Sequence, residues 1–444
     1  MEATTAVQTI RAFRQAVYQT LGHRKDTLFE LLEAAVVSSG PANLVHLSLA
    51  SIFRRRWPSA SDALADGQVR PDRCRALVQA RLAADEAGRA GPGRPVWAGD
   101  GTTWPRPAAK TSPERTWGHR STPGIPQDGV VPAWEYEWLV DVPEIGSSWV
   151  LPLDVERRGP TDGTATEVAI GQLRRALAAR PTGAARPVGT YDSNYDPITF
   201  VRADLPLDIL VRLRSNRKFF RPPGPRTWRG RPPVHGPVFK LSDPATHGTP
   251  DRTATLDDPV HGQVQVDVWE HLHGQAAADA PFTLVRVQVE RLPRHVKTPK
   301  PLWLAWIGGP LPDDLLDLWR WYTRRYVIEH GFRFLKHDLG WTAVRPLHPE
   351  AADRWSWLLA MALWMLWLAR PVVADQRLPW ERPLLPTRLT PARVRRACGP
   401  LFCQVGTPAR PVQPRGKAPG RRPGQRPQPH PRQPVVRRPP QRAA

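Results

Sequence analysis

Along the first ninety residues the apolar positions recur at helical spacing. Phe29, Leu31, Leu32 and Val36 form one set, and Leu44, Leu47, Leu49 and Ile52 a second, closed by Arg54–Arg56. Spacings of three and four put side chains on one helix face, so residues 1–90 are expected to form a helical N-terminal domain. The Gly/Pro break AGPGRP at 90–95 then marks a boundary. Beyond it the period changes to two. RPVWAGDGTTW (94–104), WEYEWLVDV (134–142) and SWVLPLDVE (148–156) read as strands, 164–179 as a helix, and RPVGTYD (186–192) and LDILVRL (207–213) as strands again. That order predicts a mixed α/β sheet, with residues 91–214 as the first part of its core. Pro, Gly and Arg crowd 221–237, and short β-like runs follow at 264–269 and 282–290, which predicts a β-rich insertion over 215–300. PLWLAWI (301–307) reads as a return to the sheet, Asp313–Leu339 as one long helix and Pro349–Arg370 as another, completing the core over 301–380. Residues 381–444 are rich in Pro and Arg and are expected to form a basic tail without fixed structure.

Composition sharpens this outline. Apolar residues make up 41% and charged residues 23% of 444 residues, with 19 Trp, the balance of a chain that buries a sizeable core. The net charge of +22 points to a polyanionic partner, nucleic acid before an anionic membrane. From Arg382 onward there are 15 Lys+Arg and no acid, so the rest of the chain carries 22 − 15 = +7. Such a tail is either a solvated appendage or a DNA-binding arm. Three cysteines, Cys74, Cys398 and Cys403, give no disulfide framework and fit a reducing cytosol. The start of the chain lacks the apolar segment of a signal peptide. The apolar run Trp355–Ala369 falls short of the roughly 20 residues of a membrane span and reads as a buried helix.

The most informative helix carries Tyr322, Arg325, Glu329 and Lys336. At about 100° per residue these four share a stripe roughly 60° wide, with Arg333 close by and Val327, Ile328, Phe334, Leu335 and Leu339 opposite. One carboxylate among cations and a phenol fits an ordinary amphipathic helix with a salt bridge. From geometry alone that plain reading is the favoured one, although the stripe also suits a phosphate backbone held beside a metal ligand. The spacing Tyr322-x2-Arg325-x3-Glu329-x6-Lys336 matches the Y-R-E-K signature of DDE transposases in the insertion-sequence-4 superfamily. The flanking RYVIEHGFRFLKHDLGWT is similar to the insertion-sequence-701-like bacterial branch. The resemblance continues through TSPERTWGHR, PVGTYDSNYDP, LVRLRSNRKFF and HPEAADRWSWL into the tail.

This resemblance implies a ribonuclease-H-like core with the first Asp on the first strand, the second after the fourth and the Glu on a late helix. Asp100, Asp192 and Glu329 are then the expected catalytic and metal-ligating residues. Phosphodiester chemistry asks for hard oxygen ligands around two Mg²⁺ ions about 4 Å apart, with Mn²⁺ able to substitute. Gly99 and Gly101 are expected to leave room for metal and DNA beside Asp100. Asp141, Asp154 and Asp196 are rival carboxylates, Asp154 reading as a surface pair at a strand end. Tyr322, Arg325, Arg333, Lys336, Arg214 and Lys218 are the expected DNA contacts. In the insertion, Arg217, Lys218, Phe219, Phe220, Trp228 and Trp269 would stack a flipped base and grip phosphate, or simply pack a core. The implied partners are double-stranded DNA at transposon ends and target, and a second copy of the chain. No P-loop or dinucleotide fingerprint calls for a nucleotide cofactor, and His119, His235 and His261 lack ligand-like spacing. A catalytically silent DNA-binding derivative and a stand-alone nuclease are the competing readings.

Overall fold

The structure is a computed structural model. It describes all residues except 1, 41, 89–92, 120–128, 145, 226–232, 293–298, 414–419, 421–423, 425–431 and 435–444. Five helices open the chain: α1 (Glu2–Thr20), α2 (Lys25–Val37), α3 (Leu44–Ser48), α4 (Trp57–Asp66) and α5 (Pro71–Gly88). The α/β part follows with β1 (Val96–Pro105), β2 (Thr116–His119), β3 (Val130–Asp141), β4 (Leu151–Arg158), α6 (Ala165–Ala178), β5 (Val188–Tyr191), α7 (Pro197–Ala203) and β6 (Asp208–Leu213). Next come β7 (Lys218–Phe220), β8 (Val238–Lys240), β9 (Arg252–Asp258), β10 (Gly262–Gly274), β11 (Ala277–Val289) and β12 (Leu302–Ile307). The last helices are α8 (Leu316–Arg324), α9 (Val327–His337), α10 (Pro349–Ala369) and α11 (Pro391–Val405).

The described strands form one mixed sheet in the order β2-β3-β1-β5-β6-β12-β11-β10-β7-β8, with β4 also on β3 and β9 also on β10. β1 runs antiparallel to β3 and parallel to β5, and β5 runs parallel to β6. The 215–300 segment therefore does not stand apart from the core. β10 and β11 extend the core sheet through β12, because β12 offers one edge to β6 and the other to β11. The interior between the N-terminal helices and the sheet is filled by α10, whose run from Trp355 to Leu366 is buried throughout. On the opposite face α8 packs Leu318, Trp319, Trp321 and Tyr322 against Val96, Val188, Leu210 and Trp306. Among the described residues no helix is long and apolar enough to cross a membrane.

Two expectations need correction. The stretch 313–339 is not one helix: α8 and α9 meet in a tight turn, with Arg325 N–H donating to Tyr322 O (3.0 Å) and Ile328 N–H to Arg325 O (3.0 Å). These i→i+3 bonds wind the backbone more tightly than an α-helix. The tail is also not structureless from residue 381. α11 is capped by the Thr390 hydroxyl and buries Val394, Cys398, Leu401 and Phe402 against the core. The apolar residues at helical spacing outweigh the Pro and Arg around them. Residues 407–410 then strap onto the N-terminal helices: Arg54 donates to the Ala409 and Arg410 carbonyls, and Thr407 to Glu33. Much of the expected tail beyond this strap lies outside the described residues.

Candidate active site

Asp100 sits in the middle of β1, partly buried and paired with Trp138 of β3, and its carboxylate is held by Arg325 (Nη1 to Oδ2, 2.8 Å). The same guanidinium reaches Glu329 (Nη2 to Oε1, 3.5 Å), whose side chain is 46% exposed. Asp192 ends β5, with Oδ1 accepting from the Asn194 N–H (2.8 Å). Burial pushes the Asp100 carboxyl up to about 6, with Arg325 opposing and the Asp192 charge adding to the rise. Arg325 is the cation between Asp100 and Glu329. A buried charge needs such a partner. Burial also pulls the Lys336 ammonium down to about 8, although Asp100 acts the other way, and its Nζ lies 5.8 Å above the Trp341 ring. Tyr322 is more deeply placed than a free phosphate clamp. It belongs to the apolar cluster under α8, and its phenol, hydrogen-bonded with Arg325, is raised by burial.

A cleft of about 1480 Å³ opens beside these groups. Asp100, Glu137 and Lys336 line it together with Arg158, Arg212, Arg214 and Arg217. Arg214 reaches Asn194 Oδ1 (2.9 Å). Ser193 and Asn194, next to Asp192, are lining residues, whereas Asp192 and Glu329 themselves are not. Arg333 is exposed on α9 and Lys218 on β7, and neither lines the cleft. The cationic wall faces a carboxylate group, the pattern that neutralises phosphate near a reacting centre.

The glycines beside Asp100 do something other than make room for metal. Side chains alternate along a strand, so Gly99 and Gly101 face away from Asp100. A Cβ at Gly99 would lie 2.1 Å from the Tyr191 ring, and one at Gly101 would lie 3.2 Å from the Glu137 carboxylate. Glu137 is the group sequence reasoning missed. It is buried, raised to about 7 by burial, and accepts the Tyr195 hydroxyl (2.6 Å). Its only signal in the sequence is an acid inside an apolar β-alternation.

The rival carboxylates have structural partners. Asp154 is not a surface pair: it is buried, between Arg75 and Arg175, each at 2.9 Å. Asp196 caps α7 by accepting from Thr199 N–H (2.9 Å). In the insertion Trp269 is fully buried with Phe239, Trp303 and Arg286 around it, and Phe219 packs on Phe282, so these aromatics are core. Phe220 stands against His235, and Trp228 lies outside the described residues.

Three carboxylates supply the hard oxygen donors that Mg²⁺ or Mn²⁺ takes, and the raised Asp100 carboxyl is one that a cation would relieve. The donor set therefore fits a divalent metal. Among the described residues no three His, Cys, Asp or Glu side chains are already gathered closely enough to hold one, and Arg325 lies between Asp100 and Glu329.

An acid-floored, cation-walled cleft at strand ends is a setting for phosphodiester chemistry. Residues 16–270 match the family model described as DDE superfamily endonuclease, and residues 313–365 match the Transposase DDE domain. The chain belongs to the DDE superfamily endonuclease family. No curated protein matches it. Among solved structures it is similar to the piggyBac transposase synaptic complex with hairpin DNA, determined by cryo-EM. The two are 12% identical with a TM-score of 0.43, over 86% of this chain and 71% of that one.

Proposed function

We propose that this chain is an insertion-sequence transposase that cleaves and joins double-stranded DNA, with Asp100, Asp192 and Glu329 as the ligands of two Mg²⁺ ions. The observation that carries this reading is the chain of charges Asp192, Asp100, Arg325 and Glu329 beside a cleft lined by five cations. The strand order β4-β3-β1-β5-β6 supports it, being the order of a ribonuclease-H-like core. In that frame Asp100 lies on the first core strand, Asp192 after the fourth and Glu329 on a late helix. The Tyr322, Arg325, Glu329 and Lys336 spacing supports membership of the insertion-sequence-4 superfamily and its insertion-sequence-701-like branch.

Divalent ions bound there would supply an activated attacking oxygen and a stabilised leaving oxygen. The chain's own residues hold the DNA. Lys336 and Arg214 neutralise phosphate at the cleft, while Arg325 stays behind it between Asp100 and Glu329, with Tyr322 holding it from below. Arg333 and Lys218 contact DNA only further from the cleft. Two protomers act on paired element ends.

Asp100→Asn, Asp192→Asn and Glu329→Gln keep shape while removing a charged ligand. Each is expected to lower cleavage of element-end DNA in Mg²⁺ by orders of magnitude without unfolding the chain. Near-normal cleavage by any one of them removes that residue from the set. Normal cleavage by all three overturns the reading.

A further inference from the structure

The turn that follows Asp192 is tied to the strand pair that carries Asp100 by one buried hydrogen bond. Asp192 closes β5, Asn194 N–H caps its Oδ1, and Tyr195 N–H donates to its backbone carbonyl (3.4 Å). The Tyr195 ring is buried against Tyr191 and Phe200, and its hydroxyl donates to Glu137 Oε2 (2.6 Å). Glu137 lies on β3 directly across from Gly101, the residue after Asp100. Gly101 lacks the Cβ that would crowd the carboxylate, so Glu137 passes under β1 to reach Tyr195. The Glu137 backbone is itself fixed, with Gln172 of α6 donating to its carbonyl (3.0 Å). Arg158 Nε stands 3.5 Å from Oε1 on the cleft side. Both Glu137 and Tyr195 line the cleft, yet each is spent on the other.

We infer that Glu137 and Tyr195 form a positioning pair that sets the separation of Asp192 from Asp100, and through it the affinity for divalent metal. The inference rests on the proposed roles of Asp100 and Asp192. Groups that hold metal ligands in place typically contribute about 10–100-fold to metal affinity. A hydrogen bond to a buried carboxylate is also strong enough to hold a turn in register.

The test is calorimetric titration of the full chain with Mn²⁺. Asp100→Asn and Asp192→Asn serve as controls for the ligand assignment. Tyr195→Phe removes one oxygen and keeps the ring packed, so it retains the fold. It is expected to weaken Mn²⁺ binding by about 10-fold or more. Glu137→Ala is expected to do the same, and the double variant to be no weaker than the weaker single, because both changes delete one bond. Glu137→Gln keeps an oxygen that accepts from Tyr195 and is expected to bind close to wild type. A packing role alone would show neither the non-additivity nor this rescue. If the Asp variants lose Mn²⁺ while Tyr195→Phe and Glu137→Ala bind normally, the positioning inference fails and the ligand assignment stands. If Glu137→Gln is as weak as Glu137→Ala, or the two losses add, the pair does not act through a shared bond and the inference fails. If the Asp variants themselves bind Mn²⁺ normally, the ligand assignment fails and takes the inference with it.

Discussion

Glu137 and Arg325 are the two side chains whose surroundings decide the chemistry of the cleft. Burial raises Glu137 from 4.5 to about 7 in the folded chain. Between those values the native state keeps a proton that the unfolded chain releases, so this group's contribution to stability falls as pH rises through that window. Glu137→Gln lacks the titration. Its melting temperature relative to wild type is therefore expected to climb from about pH 4.5 to about pH 7, measured by thermal unfolding across that range. A flat difference curve would mean the carboxyl titrates normally. Arg325 is half of a largely buried ion pair. Arg325→Ala strands Asp100 without its cation, a loss below the roughly 3–5 kcal/mol of a fully buried pair because Asp100 is partly exposed. Urea unfolding without metal is expected to show this deficit, and Mn²⁺ to recover much of it. No recovery would argue that no cation enters beside Asp100.

At the scale of elements, α9 is where sequence and structure part most instructively. The 3.6-residue projection puts Tyr322, Arg325, Glu329 and Lys336 in one stripe, but of the four only Lys336 lines the cleft. The i→i+3 turn at Arg325 advances about 120° per residue instead of 100°. Tyr322 consequently sinks into the cluster under α8 while Glu329 stays half exposed. Nothing in RYVIEH, which has no Gly or Pro, signals the turn. Gly331 is the residue that lets α9 close on Val150, just before β4, since a Cβ there would lie 2.5 Å from Val150 Cγ2. Gly331→Ala is expected to cost about 1–3 kcal/mol through overpacking, read by chemical denaturation, and to lower cleavage more than DNA affinity by displacing Glu329. Unchanged stability would show that Val150 yields freely. The main strands and long helices were legible because their apolar period is unbroken. The single extended sheet, the Glu137–Tyr195 tie and the roles of Gly99 and Gly101 were not. Each depends on which strand lies beside which, and one sequence without its pairings does not carry that information.

For the whole molecule, the basic C-terminal region divides in two. Up to about residue 412 it is structural, through α11 and the strap of 407–410, while among the described residues beyond it Gln433 exchanges hydrogen bonds with Lys110 and Arg115. Removing residues from about 399 deletes Leu401, Phe402 and the strap together. Loss of one buried large side chain alone costs about 3–5 kcal/mol, so that truncation is expected to leave an unstable protein. Truncation after Val412 spares these contacts and removes nine Lys+Arg, taking the net charge from +22 to 22 − 9 = +13. The shorter cut is expected to weaken nonspecific DNA binding and flatten the slope of log affinity against log salt, because fewer counterions are released. Binding isotherms at several salt concentrations check it, and identical slopes would confine the DNA grip to residues before 413. Arg54 and Arg55 are poor substitutes, being engaged with Glu30 and the strap carbonyls.

The strap also fixes when the protein can fold as it is made. Glu33 of α2 is paired with Arg14, but its other oxygen waits for Thr407, and the apolar side of α2 waits for α10 and α11. At roughly 5–20 residues per second, the ribosome needs on the order of 20–75 s to cover the 374 residues between those two contacts. Until then the apolar side of α2 that packs on α10 and α11 has no partner from those helices, so the N-terminal helices reach their full packing only when the C-terminal region has been made.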